Sequence, residues 1–406
     1  MTRRVEPEVR CRKLIGSGKP LQIVDFSTHM SGPLASHLLM EMGADVIKVE
    51  HPIQGDGNRG NEPQILGVSD LNLALNSGAR SLTVSTRSPH WAEVVAGVTA
   101  WADAVIIGSR PKDAVRRGLD YHTLVQANSE LVYCVISGFG LAGPWSEYKA
   151  HGQTMDAFAG RVDVEWENGQ PLTRVGWRSA GTSLAGVFAA MGVLAAIVKR
   201  DRGGGSQFVH TSIWNSAMWW NWRDVNTWAN NDEQWHEYRT LGSRYSMYST
   251  SDGRALLVCP LEKVFWGRFC DIAGLEDLRE RGDWTQSMDF GYDDEIPQIA
   301  NAIGRRPLDE WSRLLDEAEI PFAPILTLEE AVKSEHAVAN RLLRGIELPG
   351  GRAHVAASPV QISADPDEAV EPDLSDLPPP PDLGSHSDEI LQQVGLGQLI
   401  GKDLSS

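Results

Sequence analysis

Short, nearly continuous apolar runs alternate with amphipathic stretches through the first half of the chain. LQIVDF (residues 21–26) and ADVIKV (44–49) are β-rich runs, while residues 33–42 between them are apolar at helical spacing. That order predicts a βαβ unit. AVIIG (104–108), a helix around 121–128 and LVYCVIS (131–137) continue the alternation, so the pattern predicts a parallel sheet covered by helices on both faces. Ligands of such sheets bind at the carboxyl ends of the strands, where the DFSTHMSGP turn (25–33) falls.

Residues 184–199 read as a long apolar helix, and RGGGSQFVHTSIW (202–214) as a glycine turn leading into a strand. From about residue 222 to 322 the texture becomes polar, aromatic and turn-rich, with a hairpin predicted around Asp252 and Gly253. The run IWNSAMWWNWRDVNTWANNDEQW (213–235) puts Trp214, Met218, Trp222 and Val225 at helical spacing, which predicts a stripe buried in the core or in an interface. The proline-rich stretch 371–384 predicts an extended strap.

Composition narrows the classes of function. A net charge of −17 over 406 residues, with 37 Lys and Arg that form no tract, argues against nucleic acid as a partner. No apolar run is read as reaching the roughly 18 residues of a bilayer-spanning helix, and the basic start has no apolar core for a signal peptide, so no membrane association is expected. Cys11, Cys134, Cys259 and Cys270 are dispersed, which indicates neither zinc nor a disulfide framework and makes a reducing cytoplasm the expected compartment. No G-x-G-x-x-G follows a strand, and GSGKP (16–20) lacks Walker spacing, so NAD and ATP are poor candidates.

Several motifs stand in a fixed order: 21–52 (LQIVDFSTHMSGP through GADVIKVEHP), NSGARSL (76–82), RPKDAVRRGLDY (110–121), SGFGLAGPWSEYKAHGQTMDAFAG (137–160), SAGTSLAG (179–186), PFAPILTLEEAV (321–332) and PPDLGSHSDEIL (380–391). Together they resemble the class III CoA-transferases, the CaiB/BaiF family. The resemblance implies an α/β fold: a Rossmann-like parallel-sheet domain built from residues 1–221 and 326–406, a smaller α+β domain over 222–325, and an interlocked dimer. It also implies that coenzyme A thioesters and carboxylic acids are substrates or ligands, with no permanently bound cofactor or metal. Contacts to CoA are expected from Thr28, His29, Met30, Ser31, His51, Arg80, Arg116 and Arg117. Ala79 stands where the family has lysine, and His51 where relatives often carry a cation.

The departures fall on the chemistry. In the family a carboxylate attacks the acyl-CoA thioester to give a mixed anhydride, and CoA thiolate then attacks that anhydride, leaving CoA on the enzyme's own side chain. Here Gly152 and Thr182 occupy the two acidic positions. A hydroxyl can accept an acyl group but has no carbonyl carbon with which to hold CoA. Asp156, one helical turn past Gly152, is the candidate for a relocated catalytic carboxylate, against the alternative that it is an early-helix charge or cap. His151 and His122 lack the acid that the family's racemase branch pairs with histidine, and His210 and Asn215 stand where many relatives have Asp. Three readings follow. The leading one is a subunit without the nucleophile in a hetero-oligomeric CoA-transferase, as in the benzylsuccinate-type enzymes, with a homologous partner supplying the Asp. The others are a stand-alone transferase or racemase that uses Asp156, and a non-catalytic acyl-CoA-binding protein. Under any of them the 213–235 aromatic run could also wall an aromatic or bulky acyl group.

Overall fold

A computed structural model describes residues 19–162, 164–172, 178–231, 241–362 and 376–406. Cys11, most of 16–20, the end of the aromatic run and the start of the proline-rich strap lie outside these residues. The chain divides into two compact units, residues 1–222 with 341–406, and residues 223–340.

The first unit holds six parallel strands, β1 (Gln22–Asp25), β2 (Asp45–Glu50), β5 (Arg80–Thr83), β6 (Ala104–Gly108), β7 (Val132–Ser137) and β10 (Gln207–Ser212), in the order β10-β7-β6-β1-β2-β5. Hairpins β3 (Gln64–Ile65) with β4 (Val68–Ser69) and β8 (Trp166–Glu167) with β9 (Gln170–Pro171) are peripheral. Crossover helices are α1 (Ser31–Glu41), α2 (Asp70–Asn76), α3 (Trp91–Trp101), α4 (Pro111–Arg116) and α5 (Tyr121–Leu124); α6 (Gly152–Phe158) and α7 (Ala180–Lys199) lie between β7 and β10, and α8 (Ile213–Trp220) follows β10.

Both faces of the sheet are buried, which is why its strands read as continuous apolar runs. Ile23, Val46, Ile106, Cys134 and Ile136 face one core with Ala35 and Leu39 of α1 and Ala185, Ala189 and Val193 of α7. Their neighbours Val24, Ile47, Val105, Tyr133 and Val135 face the other, with Val94 and Val98 of α3 and Ile390 and Leu391 of the helix Ser387–Gln393. From β1 the chain crosses to β2 and β5, then returns to β6 on the far side of β1. The carboxyl ends of β1 and β6 therefore flank the topological switch point.

The helical stretch Ala180–Gly204 is long and apolar enough to cross a bilayer, contrary to the expectation from sequence. It packs against α1, α8, β7 and β10, however, and half of its apolar window is buried in protein. Gly186 permits the approach of α1, since a Cβ there would lie 2.7 Å from the Ser31 carbonyl oxygen.

The second unit contains most of α9 (Trp222–Asn231) and an antiparallel sheet of β11 (Ser246–Ser249), β12 (Ala255–Val258) and β13 (Phe322–Pro324). Gly253, with φ of 74°, makes the predicted hairpin turn. Helices α10 (Lys263–Ala273), α11 (Ile296–Ile303) and α12 (Leu308–Glu317) cover the sheet around Trp266, Phe269 and Trp311. Fully buried Arg244 pairs with Glu295 at 2.6 Å and lies 3.9 Å from the Trp266 ring centre. Residues 326–340, placed by sequence in the returning part of the large domain, belong to this unit. They form α13 (Leu328–Lys333) and α14 (Glu335–Ala339), and Arg254 beside β12 pairs with Glu330 at 3.0 Å. The return begins at Arg341, with hairpin β14 (Leu343–Leu348) and β15 (Gly351–Ala356) packing on Leu73 of α2.

Buried charge fixes the turn after β1. Lys48 of β2, 2% exposed, reaches Asp25 at 2.9 Å, Asp56 at 2.8 Å and the Ser27 carbonyl at 2.8 Å. Asp25 also accepts from Ser27 N–H at 2.7 Å, while Asp56 accepts from the N–H groups of His29 at 2.9 Å and Asn58 at 3.0 Å. Burial is the largest single influence on the Lys48 ammonium and opposes it, but the two carboxylates outweigh it and raise its pKa above the ordinary value. Burial also opposes the Asp56 carboxylate, yet Lys48 and the backbone donors hold its pKa below the usual range. Held this way, His29 keeps a φ of 69°, uncommon for a residue with a side chain.

Replacing this cation by an apolar chain, Lys48→Met, leaves two buried carboxylates without their shared partner and should cost about 3–5 kcal/mol at pH 7. The pH dependence gives the sharper test. In the native chain the depressed pKa of Asp56 contributes stability that is present above its unfolded pKa and lost as pH falls through the folded one. In the variant the uncompensated pair takes up a proton on folding, so the deficit should shrink as pH is lowered from about 7 to about 5. Guanidinium melts at the two pH values measure this, and an equal deficit at both would contradict the network described.

Candidate active site

The turn after β1 and the loops after β2 and β6 meet at the carboxyl edge of the sheet. Thr28 and His29 are exposed there, Met30 is half-buried and Ser31 is buried. Ser31 Oγ donates to the Thr182 carbonyl at 2.9 Å, which ties the start of α1 to the first turn of α7. Gly108 closes β6 against the same turn, since a Cβ on it would lie 2.7 Å from Ser27 Cβ. His51 follows β2 and is exposed, its Nδ1 accepting from the N–H groups of Ile53 and Gln54 at 3.2 Å.

The arginines separate. Arg110 caps the near end of α4 and bonds the Glu147 carbonyl at 3.1 Å, reaching the loop that leads to α6. Arg116 and Arg117 lie at the far end of α4 rather than at a helix start. Arg116 is exposed and paired with Asp113 at 2.5 Å, and the Arg117 carbonyl accepts from Trp91 Nε1 at 2.7 Å. Arg80 does not join the set. It opens β5 beside the start of β2, at the opposite, amino end of the sheet, paired with Asp45 and Glu389 at 2.8 Å each. Arg80 is the first residue of its strand, so chain direction alone puts it at the amino end, away from where such sheets bind ligands.

The two positions that lack an acid face each other. A Cβ built on Gly152, at the start of α6, would lie 2.2 Å from Thr182 Oγ1 in the first turn of α7. Side chains at 152 and 182 would thus occupy one space. Asp156 stands one turn along α6, wholly buried, where its Oδ1 accepts from Gly181 N–H at 3.1 Å and approaches Arg161 Nε at 3.5 Å. Its Oδ2 accepts from the Ser179 hydroxyl. Ser179 is the N-cap of α7, accepting from Thr182 N–H at 3.1 Å and lying 2.7 Å from Thr182 Oγ1. The first turn of α7 therefore has its N–H groups satisfied by a side chain of another helix as well as by its own cap.

His151 is an exposed N-cap of α6 and His122 an exposed residue of α5. Half-buried His210 on β10 lies 3.1 Å from Ser137 Oγ, and burial lowers its pKa. Asn215, in α8, donates its N–H to Ser212 Oγ at 3.1 Å. Among the described residues no group of three His, Cys, Asp or Glu could hold a metal ion.

Beside this site Phe139, Trp145, Tyr148, Phe158 and Trp214 form a cluster of edge-to-face rings. Residues 137–160 carry four of the five, a signal that the motif reading passed over. The predicted stripe is not a buried core: the helix breaks at Asn221, Trp214 and Met218 are only half-buried, and Trp219, Trp220 and Trp222 are about half exposed. Val187, Met191 and Val198 along α7 are exposed too, and Phe188 packs edge-on against Trp219 at 5.0 Å.

Comparison with known proteins agrees with this architecture. The family model described as CoA-transferase family III matches residues 19–387. Acetyl-CoA:oxalate CoA-transferase of Acetobacter aceti is 24% identical over 86% of this chain and 90% of its own length. Succinate–glutarate CoA-transferase of Agrobacterium fabrum is 27% identical over 92% and 94%, respectively. Among solved structures, Rv3272 of Mycobacterium tuberculosis superposes with a TM-score of 0.79 at 22% identity, covering 91% of this chain and 98% of that one. A CaiB/BaiF family protein of Brucella suis gives 0.72 at 21% identity over 92% and 98%. With the motifs, the six-stranded parallel sheet and a family match over most of its length in agreement, the chain belongs to CoA-transferase family III.

Proposed function

We propose that this chain handles CoA thioesters as the subunit without a nucleophilic acid in a hetero-oligomeric CoA-transferase, its homologous partner supplying the carboxylate. The observation that carries this reading is the pairing of Gly152 with Thr182 Oγ1 in one space. The departures at the two acidic positions are mutually fitted, as in a folded site that has given up its nucleophile. Asp156 is the nearest carboxylate, and its burial and its bonds to Ser179 and Gly181 favour a role in holding α7 over attack on a thioester. Thr28, His29, Met30, Ser31 and His51, with Arg116 and Arg117 across α4, are the residues proposed to contact CoA. Arg80 is omitted because its ion pairs occupy it at the other end of the sheet. The exposed apolar residues of α7 and α8 support assembly with a second chain, whether a homologue or a copy, since contiguous apolar surface marks interaction sites.

Two outcomes are expected. Incubated with acyl-CoA, the isolated chain should form no enzyme-CoA thioester, and none on Asp156. Co-expressed with a homologous partner that keeps its acids, the pair should form one on the partner. Hydroxylamine sensitivity and peptide mass mapping read both, and a CoA adduct on Asp156 would establish the stand-alone reading instead.

A further expectation concerns the fitted pair. Gly152→Ala should destabilise by about 1–3 kcal/mol through overpacking against Thr182 Oγ1. Much of that penalty should vanish in the background of Thr182→Ala, giving a coupling energy above about 1 kcal/mol in a denaturation cycle. Additive effects would mean that the two positions do not share their space.

A further inference from the structure

Three buried polar side chains border one small space inside the larger unit. Ser36 and His37 are consecutive in α1, and Ser77 ends α2; they are 3%, 6% and 1% exposed. Among the described residues, Ser36 Oγ, His37 Nδ1 and Ser77 Oγ have no hydrogen-bond partner. Native interiors leave few such atoms unsatisfied, so three on one cavity ask for an occupant. Asp25 of β1 and Lys48 of β2 line the same cavity, which gives the centre of a water-sized sphere about 10 Å³ of room. One water needs roughly 10–15 Å³ by that measure, with two to four polar partners.

The state of His37 follows from its neighbours. Its Nε2 faces Glu41 Oε2 at 3.6 Å, and Glu41 accepts from Arg344 at 2.8 Å. Burial is the largest influence on the ring and lowers its pKa; Glu41 opposes that and Arg344 adds to it. The ring is therefore neutral at pH 7, and with its proton on Nε2 towards the carboxylate, Nδ1 is an acceptor.

We propose that this cavity is the binding site of one structural water, held by Ser36, Ser77 and His37. The water accepts from the two serine hydroxyls and donates to His37 Nδ1, and its second proton serves Asp25. All four of its hydrogen-bonding positions are then used. A metal ion is a poor occupant, because the Lys48 ammonium lines the same space. Held so, the water joins α1 and the link between α2 and β5 to Asp25, the residue from which the turn after β1 starts.

A high-resolution crystal structure of the full chain should show one peak of density within about 2.6–3.2 Å of Ser36 Oγ, Ser77 Oγ and His37 Nδ1. No peak there, or contacts near about 2.4 Å that mark a metal ion, would overturn the proposal. Thermal unfolding reads the same question by sign. At a dry site Ser77→Ala removes an unsatisfied hydroxyl and would leave the midpoint unchanged or raise it. At a hydrated site it removes one of the water's partners and should lower the midpoint by on the order of 2 °C. Ser36→Ala also gains the helix preference of alanine, so it is read in a cycle with Ser77→Ala, where that gain cancels. Two changes that share one water should be non-additive. A midpoint that does not fall in Ser77→Ala, or additive effects in the cycle, would overturn the water site.

Discussion

The grip of the Asp156 carboxylate on the first turn of α7 is the contact on which the site depends. It joins α6 to α7 through Ser179 and the Gly181 N–H, and so fixes where Gly152 stands relative to Thr182. A wholly buried carboxylate is costly unless its lone pairs are filled, and here two hydrogen bonds and the nearby Arg161 guanidinium fill them. Placed against a helix N-terminus, that negative charge also meets the favourable end of the α7 dipole. The same helix packs on α1 through Gly186 and bonds Ser31 through its Thr182 carbonyl, so the geometry set at Asp156 passes to the turn after β1.

That turn is held from the other side by Lys48. The pairing of Lys48 with Asp25 and Asp56 lies beside Ser27 and His29, and it places Thr28 and His29 at the surface, His29 in a conformation its own side chain would not choose. Buried ion pairs contribute little net stability compared with apolar packing. Their use here is to fix a loop where sheet topology puts a ligand, between the ends of β1 and β6. The turn after β1 is thus held from two sides, by Lys48 with its two carboxylates and, through Ser31, by the α7 turn that Asp156 grips.

The parallel sheet was legible because burial on both faces turns each strand into an apolar run, and residues 21–26, 44–49, 104–108 and 131–137 all read so. The motifs flanking residues 152 and 182 made those two residues legible as candidate site positions. Their contact was not, because 152 and 182 meet only through tertiary packing that no local period encodes. Arg80 was placed with the CoA contacts on the family resemblance, although as the first residue of β5 it stands at the amino end of the sheet. The aromatic stripe, read as core or interface, does not form core. Helical spacing was kept across Asn221, where the helix stops, and Trp222 and Trp228 beyond it stand at the surface. The boundary at 326 followed the motif at 321–332, whereas an Arg254–Glu330 pair keeps the next residues with the smaller unit until Arg341.

The central claim is that this chain takes CoA thioesters at the carboxyl edge of its sheet while Gly152 and Thr182, fitted into one space, leave it without a nucleophilic acid of its own. A crystal structure of the chain with coenzyme A tests it most directly. The account predicts the nucleotide at the carboxyl ends of β1, β2 and β6 and the sulfur directed towards the start of α7. A CoA bound at the Arg80 end of the sheet, or one whose sulfur points away from the start of α7, would contradict it.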